Sequence, residues 1–437
     1  MINAFVREFF NILNEQYNYA VLRGYHELPD NFTGHDIDIL VDKNQFGKIK
    51  KDIASLILHF DYKLLMVNEN ERFVTVVIAK RIGNDVKYLY LDFFFNFSLF
   101  GVNLNDASDV LARKEFNGRV YHVALVDEFL EKYLNTKLLN QPYPEKYKRV
   151  LHAVQSEHSA ELQQSLAKVF NQQFDNIDTC SQVSGKKLLR AALFSSLYRH
   201  PLQQSSLSLK FVFFYIKSWL KPNGFSMSLT GPDGSGKTTV LTSVEDSFSS
   251  IYREVVLHHF RPTVIPRIAE LFKKVGLKKE VDIKYDKPYR AGETGKVSSL
   301  IRLAYYLVDY ITGYFLVVKP VLFRRGVVIF DRYFTDVMSD SRRSRIGLHY
   351  KWIFPFRKLV PKINYSFIIF VEPEEILKRK QELTRVQIDT IYEKLNYICK
   401  GDQHYVRINN DSAPELAANA IIDYVLINQN EKYKDCL

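Results

Sequence analysis

Phe225-Ser-Met-Ser-Leu-Thr-Gly231-Pro-Asp-Gly-Ser-Gly236-Lys237-Thr238-Thr239 reads as a short strand, a glycine-rich turn and the start of a helix that runs on to Phe248. From Gly231 to Thr238 the spacing is G-x-x-x-x-G-K-T. Each residue type has a physical task. Gly231, Gly234 and Gly236, with Asp233 and Ser235 between them, let successive backbone N–H groups converge on one phosphate, and the helix adds its positive end. Lys237 reaches the β- and γ-phosphate oxygens, the Thr238 hydroxyl ligates Mg²⁺, and Thr239, a further cofactor-binding candidate, begins the helix-like run. The stretch therefore predicts a bound nucleoside triphosphate, ATP with Mg²⁺, in an α/β domain.

Strand patterns recur downstream at Glu254 to His258, Gly326 to Phe330 and Tyr365 to Val371, separated by helical text. Alternation of this kind predicts a doubly wound parallel sheet for residues 225–437. The apolar run Val327-Val-Ile-Phe330 delivers Asp331 and Arg332 at a strand's carboxyl end, the edge where open α/β sheets bind ligands. Asp331 suits a Mg²⁺ ligand or general base, and Arg332 a phosphate clamp.

These residues resemble the thymidylate kinase family. The likeness runs through Gly231-Pro-Asp-Gly-Ser-Gly-Lys-Thr-Thr239, Val318-Lys-Pro-Val-Leu-Phe-Arg-Arg-Gly-Val-Val-Ile-Phe-Asp-Arg-Tyr333 and Phe370-Val-Glu-Pro-Glu-Glu-Ile-Leu-Lys-Arg-Lys380, about half of the chain. The resemblance implies a nucleoside-monophosphate-kinase fold, an acceptor phosphate held by arginines, and a basic lid near Lys378 to Arg385 that brings Arg379 or Arg385 to the γ-phosphate. Arg261 and Pro262 stand where the family grips its acceptor, and Asp309-Tyr310 where it carries an Asp-Arg pair. That exchange removes a phosphate-holding arginine, so the expected acceptor is not dTMP. Arg342, Arg343 and Arg345, after the Asp331 strand, are the expected clamp for an anionic or glycan-linked acceptor. The chain is also similar to kinase-like proteins among bacterial surface-polysaccharide genes. A nucleotide kinase and an NTP-dependent switch or scaffold stay open as alternatives.

Residues 1–135 read as a separate small α/β domain. Val21-Leu-Arg-Gly24-Tyr25, His35-Asp36-Ile-Asp38-Ile39 and Leu89-Tyr-Leu-Asp92-Phe93 resemble the nucleotidyltransferase pattern. Acids at i and i+2 of a strand project to one face, so Asp36 and Asp38, with Asp92 from a neighbour, form a candidate metal set. Solvent-facing acids and a related fold without activity remain open beside a working site. Residues 136–224 read as a helical connector.

With 437 residues, 46% hydrophobic and 25% charged, the chain is globular rather than disordered or collagenous. Lys and Arg total 60 against 49 Asp and Glu, and the excess of +11 is concentrated. Lys186 to Pro222 and Ser341 to Lys362 each carry seven cations and no acid. Both interleave aromatics, Phe211, Phe213, Phe214, Tyr215 and Trp219 in the first, Tyr350, Trp352, Phe354 and Phe356 in the second. The mix suits an anionic membrane surface, a phosphorylated acceptor or nucleic acid, the last not being the expected partner, and for the first segment a helical linker with buried aromatics and solvated lysines stays equally open. No run approaches the roughly 18 uncharged apolar residues of a spanning helix. Three scattered cysteines point to a reducing compartment. The expected location is the cytoplasm, with peripheral contact to the inner face of the membrane.

Overall fold

The computed structural model describes residues 2–265 and 295–437, except for the side chains of Lys146 and Arg342. The chain divides into two compact units. The first comprises Met1–Ile82, Val86–Ser218 and Leu426–Leu437, and the second Gly83–Asp85 and Trp219–Val425. Up to Ser218, the residues expected as a connector group with the first unit and are mostly helical.

In the first unit, α1 (Ile2–Gln16) buries Phe5, Phe9, Phe10 and Leu13, a spacing that puts all four on one face. They cover a sheet built from β1 (Tyr19–Val21), β2 (Asp36–Val41), β3 (Lys63–Glu69), β4 (Phe73–Ile82) and β5 (Asp85–Phe94), with the short β8 (Glu115–Phe116) and β9 (Tyr121–His122). A two-stranded ribbon, β6 (Phe97–Leu99) with β7 (Val102–Asn105), stands apart. The order is β3-β4-β5-β2-β1-β9-β8, and β2 and β5 run parallel with Asp38 opposite Asp92. Helix α2 (Phe46–His59) follows β2. Helix α3 (Leu125–Leu138) leads into a helical half whose core holds Phe129, Leu130, Leu162, Leu166 and Leu188. Helix α4 (Pro201–Leu220) ends that half.

The second unit is an α/β fold on an all-parallel sheet of β10 (Phe225–Thr230), β11 (Val255–His259), β12 (Val327–Asp331), β13 (Tyr365–Phe370) and β14 (Tyr405–Asn409). Its order is β11-β12-β10-β13-β14. Every residue of β10 and β12 is buried, as expected of central strands covered on both faces. The chain leaves β10 towards one edge of the sheet while β13 and β14 lie on its other side. The loop after β10 thus flanks a reversal of strand order. Around the sheet lie α5 (Lys237–Ile251), α6 (Lys296–Gly313), α7 (Phe334–Ser339), α8 (Pro373–Arg379) and α9 (Arg385–Cys399). Helix α6 continues to Phe323 and is, among the described residues, the one helix long and apolar enough to cross a membrane. Its Leu303, Leu307 and Tyr310 are nevertheless buried in the unit's own core.

Candidate active site

Register sets the site. Leu229 of β10 and His259 of β11 both stand opposite Asp331 of β12, so the loop after β10, Asp331 and His259 emerge at one edge. Gly234 and Gly236 have φ of 88° and 78°, a region that side-chain-bearing residues enter at a cost. A Cβ on Gly231 would lie 2.6 Å from the Ile369 carbonyl oxygen, and one on Gly236 would lie 2.6 Å from Asn410 Nδ2. The glycines are therefore dictated by close approach as well as by conformation. Gly236 is also the N-cap of α5, which aims that helix's free N–H groups and positive end at the loop.

A cavity of about 380 Å³ opens here, lined by Asp233, Gly234, Gly236, Lys237, Thr238, Thr239, His259, Asp331, Arg332, Arg343, Arg379 and Lys380. Five cationic side chains against two carboxylates suit a polyanion. Lys237 is buried, with Nζ donating to the Pro232 carbonyl at 2.7 Å and to Ser235 Oγ at 3.4 Å. Burial, and behind it the charge of Arg332, pulls its ammonium down to about 7. Asp331 Oδ2 meets His259 Nδ1 at 2.9 Å, while its Oδ1 is buried with no hydrogen-bond partner. Burial pushes this carboxyl up, but the His259 hydrogen bond and the charges of Arg332 and Lys237 outweigh it and hold it below the usual range. The same contact raises His259 above its ordinary value.

The expected arginines separate. Arg332 is buried at a left-handed φ of 74°. Its guanidinium donates to Asp336 at 2.7 Å, to the Gly231 carbonyl at 3.3 Å and to Asp233. The other oxygen of Asp233 accepts from Arg343 at 2.9 Å. Arg379 lines the cavity and is braced by the carbonyls of Asn410 (3.0 Å) and Asp411 (3.3 Å) and by Glu375 (3.3 Å). Arg385, capped into the first turn of α9 behind Thr384, pairs with Glu374 and Asp389 instead and does not line the cavity. Arg261 is likewise elsewhere, 2.5 Å from Asp309 Oδ2 and over the Tyr305 ring. Arg345 does not line the cavity either, and the side chain of Arg342 lies outside the described residues.

No family model and no curated protein matches the chain. Among solved structures it is similar to a thymidylate kinase from Ehrlichia chaffeensis, 21% identical, over 46% of this chain and 98% of that one, with a TM-score of 0.32.

Three residues of the site escaped the sequence reading. His259 and Asp336 touch Asp331 and Arg332, and Asn410 donates Nδ2 to the Ser235 carbonyl at 2.8 Å; Lys380, inside the expected lid, lines the cavity. Asp336 carried a signal, four residues after Arg332 at the start of a helix. Asn410 carried none, since only the pairing of β13 with β14 brings it to the loop.

In the first unit, Asp36, Asp38 and Asp92 are not assembled as the expected metal set. Among the described residues no group of three or more His, Cys, Asp or Glu side chains is placed to hold an ion. Asp36 is exposed at the start of β2, Asp38 is buried and 2.6 Å from Arg23 Nε, and Asp92 accepts from Thr75 Oγ1 at 2.5 Å. Burial drives Asp38 up to about 7 against the pull of Arg23, and the nearby charges of Asp92, Glu131 and Asp36 add to the rise. Tyr25 stacks on His122 with centroids 3.9 Å apart.

Proposed function

We propose that the second unit is a phosphotransferase that takes the γ-phosphate of ATP or a related triphosphate and passes it to an anionic acceptor. One observation carries this reading. Asp331 Oδ1, buried and unpartnered, borders the cavity that Lys237 and Thr238 line beside the glycine cradle. An orphaned carboxylate oxygen next to a threonine hydroxyl is a donor pair for Mg²⁺. Held there by Thr238 and Asp331, the ion would neutralise charge on the β- and γ-phosphates.

The chain's own groups do the rest. Backbone N–H groups from Asp233 to Thr239 cradle the β-phosphate, and Lys237 Nζ moves from the Pro232 carbonyl to phosphate oxygen. Arg379 and Lys380 lie against the glycine loop, a Cβ on Gly236 standing 3.7 Å from an Arg379 guanidinium nitrogen and one on Gly234 3.2 Å from the Lys380 Cβ, and meet negative charge as the γ-phosphate transfers. Arg332 acts as a positioning residue, because Asp233 and Asp336 consume its charge and it fixes the loop through the Gly231 carbonyl. Arg343, which shares Asp233 with Arg332, and His259, held by Asp331, are the further groups on the cavity wall that could meet the acceptor. The preferred acceptor is an anionic or sugar-linked molecule rather than dTMP: Tyr310, fully buried with its hydroxyl donated to the Phe260 carbonyl at 2.6 Å, supplies no positive charge of its own at that position.

Incubation of the purified protein with γ-labelled ATP, Mg²⁺ and a small-molecule cell extract should place label on an organic product, and Lys237→Ala should abolish it. Label recovered only as free phosphate, or equal transfer by Lys237→Ala, would overturn the proposal.

A further inference from the structure

Helix α4 departs from the rule that a helix buries its apolar stripe. Among the described residues of this helix, Gln204 alone is buried. Gln204 donates Nε2 to the Gly101 carbonyl at 2.7 Å and accepts from the Asn103 N–H at 3.0 Å. Ser208 Oγ donates to the same Gly101 carbonyl at 3.0 Å, and the Phe211 ring meets Phe100 with centroids 6.2 Å apart. Gly101, at φ 73°, has no room for a Cβ, which would stand 2.8 Å from that of Phe211. Positions 204, 208 and 211 share one side of the helix, and through them α4 is fixed to the β6–β7 ribbon.

The opposite side carries Leu202, Leu209, Phe213 and Ile216, spaced seven, four and three apart and therefore aligned. They are 87%, 71%, 60% and 52% exposed. Such a stripe, on a helix already anchored through its other face, marks an interaction surface. Lys210 and Lys217 flank it, Lys217 with its Nζ 3.6 Å from a Glu69 carboxylate oxygen, and no acid occurs in the sequence between Lys186 and Pro222. A second copy of this chain would set that basic stripe against itself, with like charges opposed across a two-fold contact. An anionic bilayer meets both halves of the pattern, with leucine, phenylalanine and isoleucine in the headgroup boundary and lysines against phosphate.

We propose that α4 docks the protein peripherally on an anionic lipid surface. The test is flotation of the full chain with phosphatidylcholine vesicles and with vesicles containing about one third phosphatidylglycerol. Binding is expected only to the anionic vesicles and weakens as salt rises. Leu209→Glu combined with Phe213→Glu should weaken it about a hundredfold or more, and Lys210→Glu about fivefold or more. These side chains face solvent, so thermal unfolding and ATP binding should stay as in the unaltered protein. Failure to float with anionic vesicles, equal binding to neutral ones, or equal flotation of the double variant would overturn the proposal. So would a dimer that the double variant dissolves in the absence of lipid.

Discussion

Replacing Gly236 by alanine tests whether the phosphate loop is held as the structure shows. Two costs add. At φ 78° an alanine in left-handed conformation costs about 1 kcal/mol. Its Cβ would lie 2.6 Å from Asn410 Nδ2, a distance neither atom tolerates, so the Asn410 amide must rotate away. Rotation breaks its 2.8 Å hydrogen bond to the Ser235 carbonyl, leaving a buried acceptor unsatisfied at about 1 to 3 kcal/mol. The expected destabilisation is about 2 to 4 kcal/mol, with loss of measurable ATP binding. Trp219 and Trp352 are the protein's two tryptophans and both belong to the second unit, so urea unfolding followed by their fluorescence reports on this unit. Gly118→Ala is the control, with φ 90° and open space around the added Cβ. It should cost strain alone, read by circular dichroism because it lies in the first unit. In a double-mutant cycle, Asn410→Ala should absorb much of the Gly236→Ala effect, since the clashing amide is gone. A Gly236→Ala protein within about 0.5 kcal/mol of the unaltered one, with unchanged ATP affinity, would refute the reasoning.

The two lid arginines should behave differently in steady-state assays. Arg379→Ala, which empties one wall of the cavity, should cut turnover on the order of 10³-fold with ATP affinity nearly unchanged. Arg385→Ala, whose exposed pairs are worth little, should leave turnover within about twofold; the reverse ranking would return Arg385 to the site. In the first unit, burial raises Glu128 from 4.5 to about 7. Between these values the folded state holds a proton that the unfolded state releases, so stability falls as pH rises through the window. The full shift corresponds to at most about 3 kcal/mol. Glu128→Gln should reduce the fall of melting temperature, followed by circular dichroism, between pH 4.5 and 7, leaving the part due to Asp38, and an unchanged slope would count against the burial account.

Much of the second unit could be read from sequence because its signals are local. The strands expected at Glu254 to His258 and Gly326 to Phe330 occur one residue later, and that at Tyr365 to Val371 begins at the same residue. Glycine spacing specifies backbone geometry directly, so the loop, Lys237 and Asp331 were legible from a dozen consecutive residues and one apolar run. β14 was not, because Tyr405-Val-Arg-Ile-Asn409 is too short to show alternation and is defined by pairing with β13. Asn410 went with it.

The arginines show the deeper reason for what was missed. Sequence supplies cations, while the structure decides whether a carboxylate has already consumed each one. Arg332 follows Asp331 immediately and reads as a phosphate clamp, yet Asp336 and Asp233 take its charge. Arg261 is consumed by Asp309 and Arg385 by Glu374 and Asp389, whereas Arg379 keeps a place on the cavity wall with its guanidinium braced mainly by carbonyls. The same logic undoes the N-terminal trio. Strand alternation correctly set Asp38 beside Asp92 across β2 and β5, but it is blind to Arg23, which reaches Asp38 Oδ2 from the turn after β1 at 2.6 Å. What distinguishes a binding arginine from a structural one is therefore the partner that folding brings to it, and that partner is usually distant in sequence.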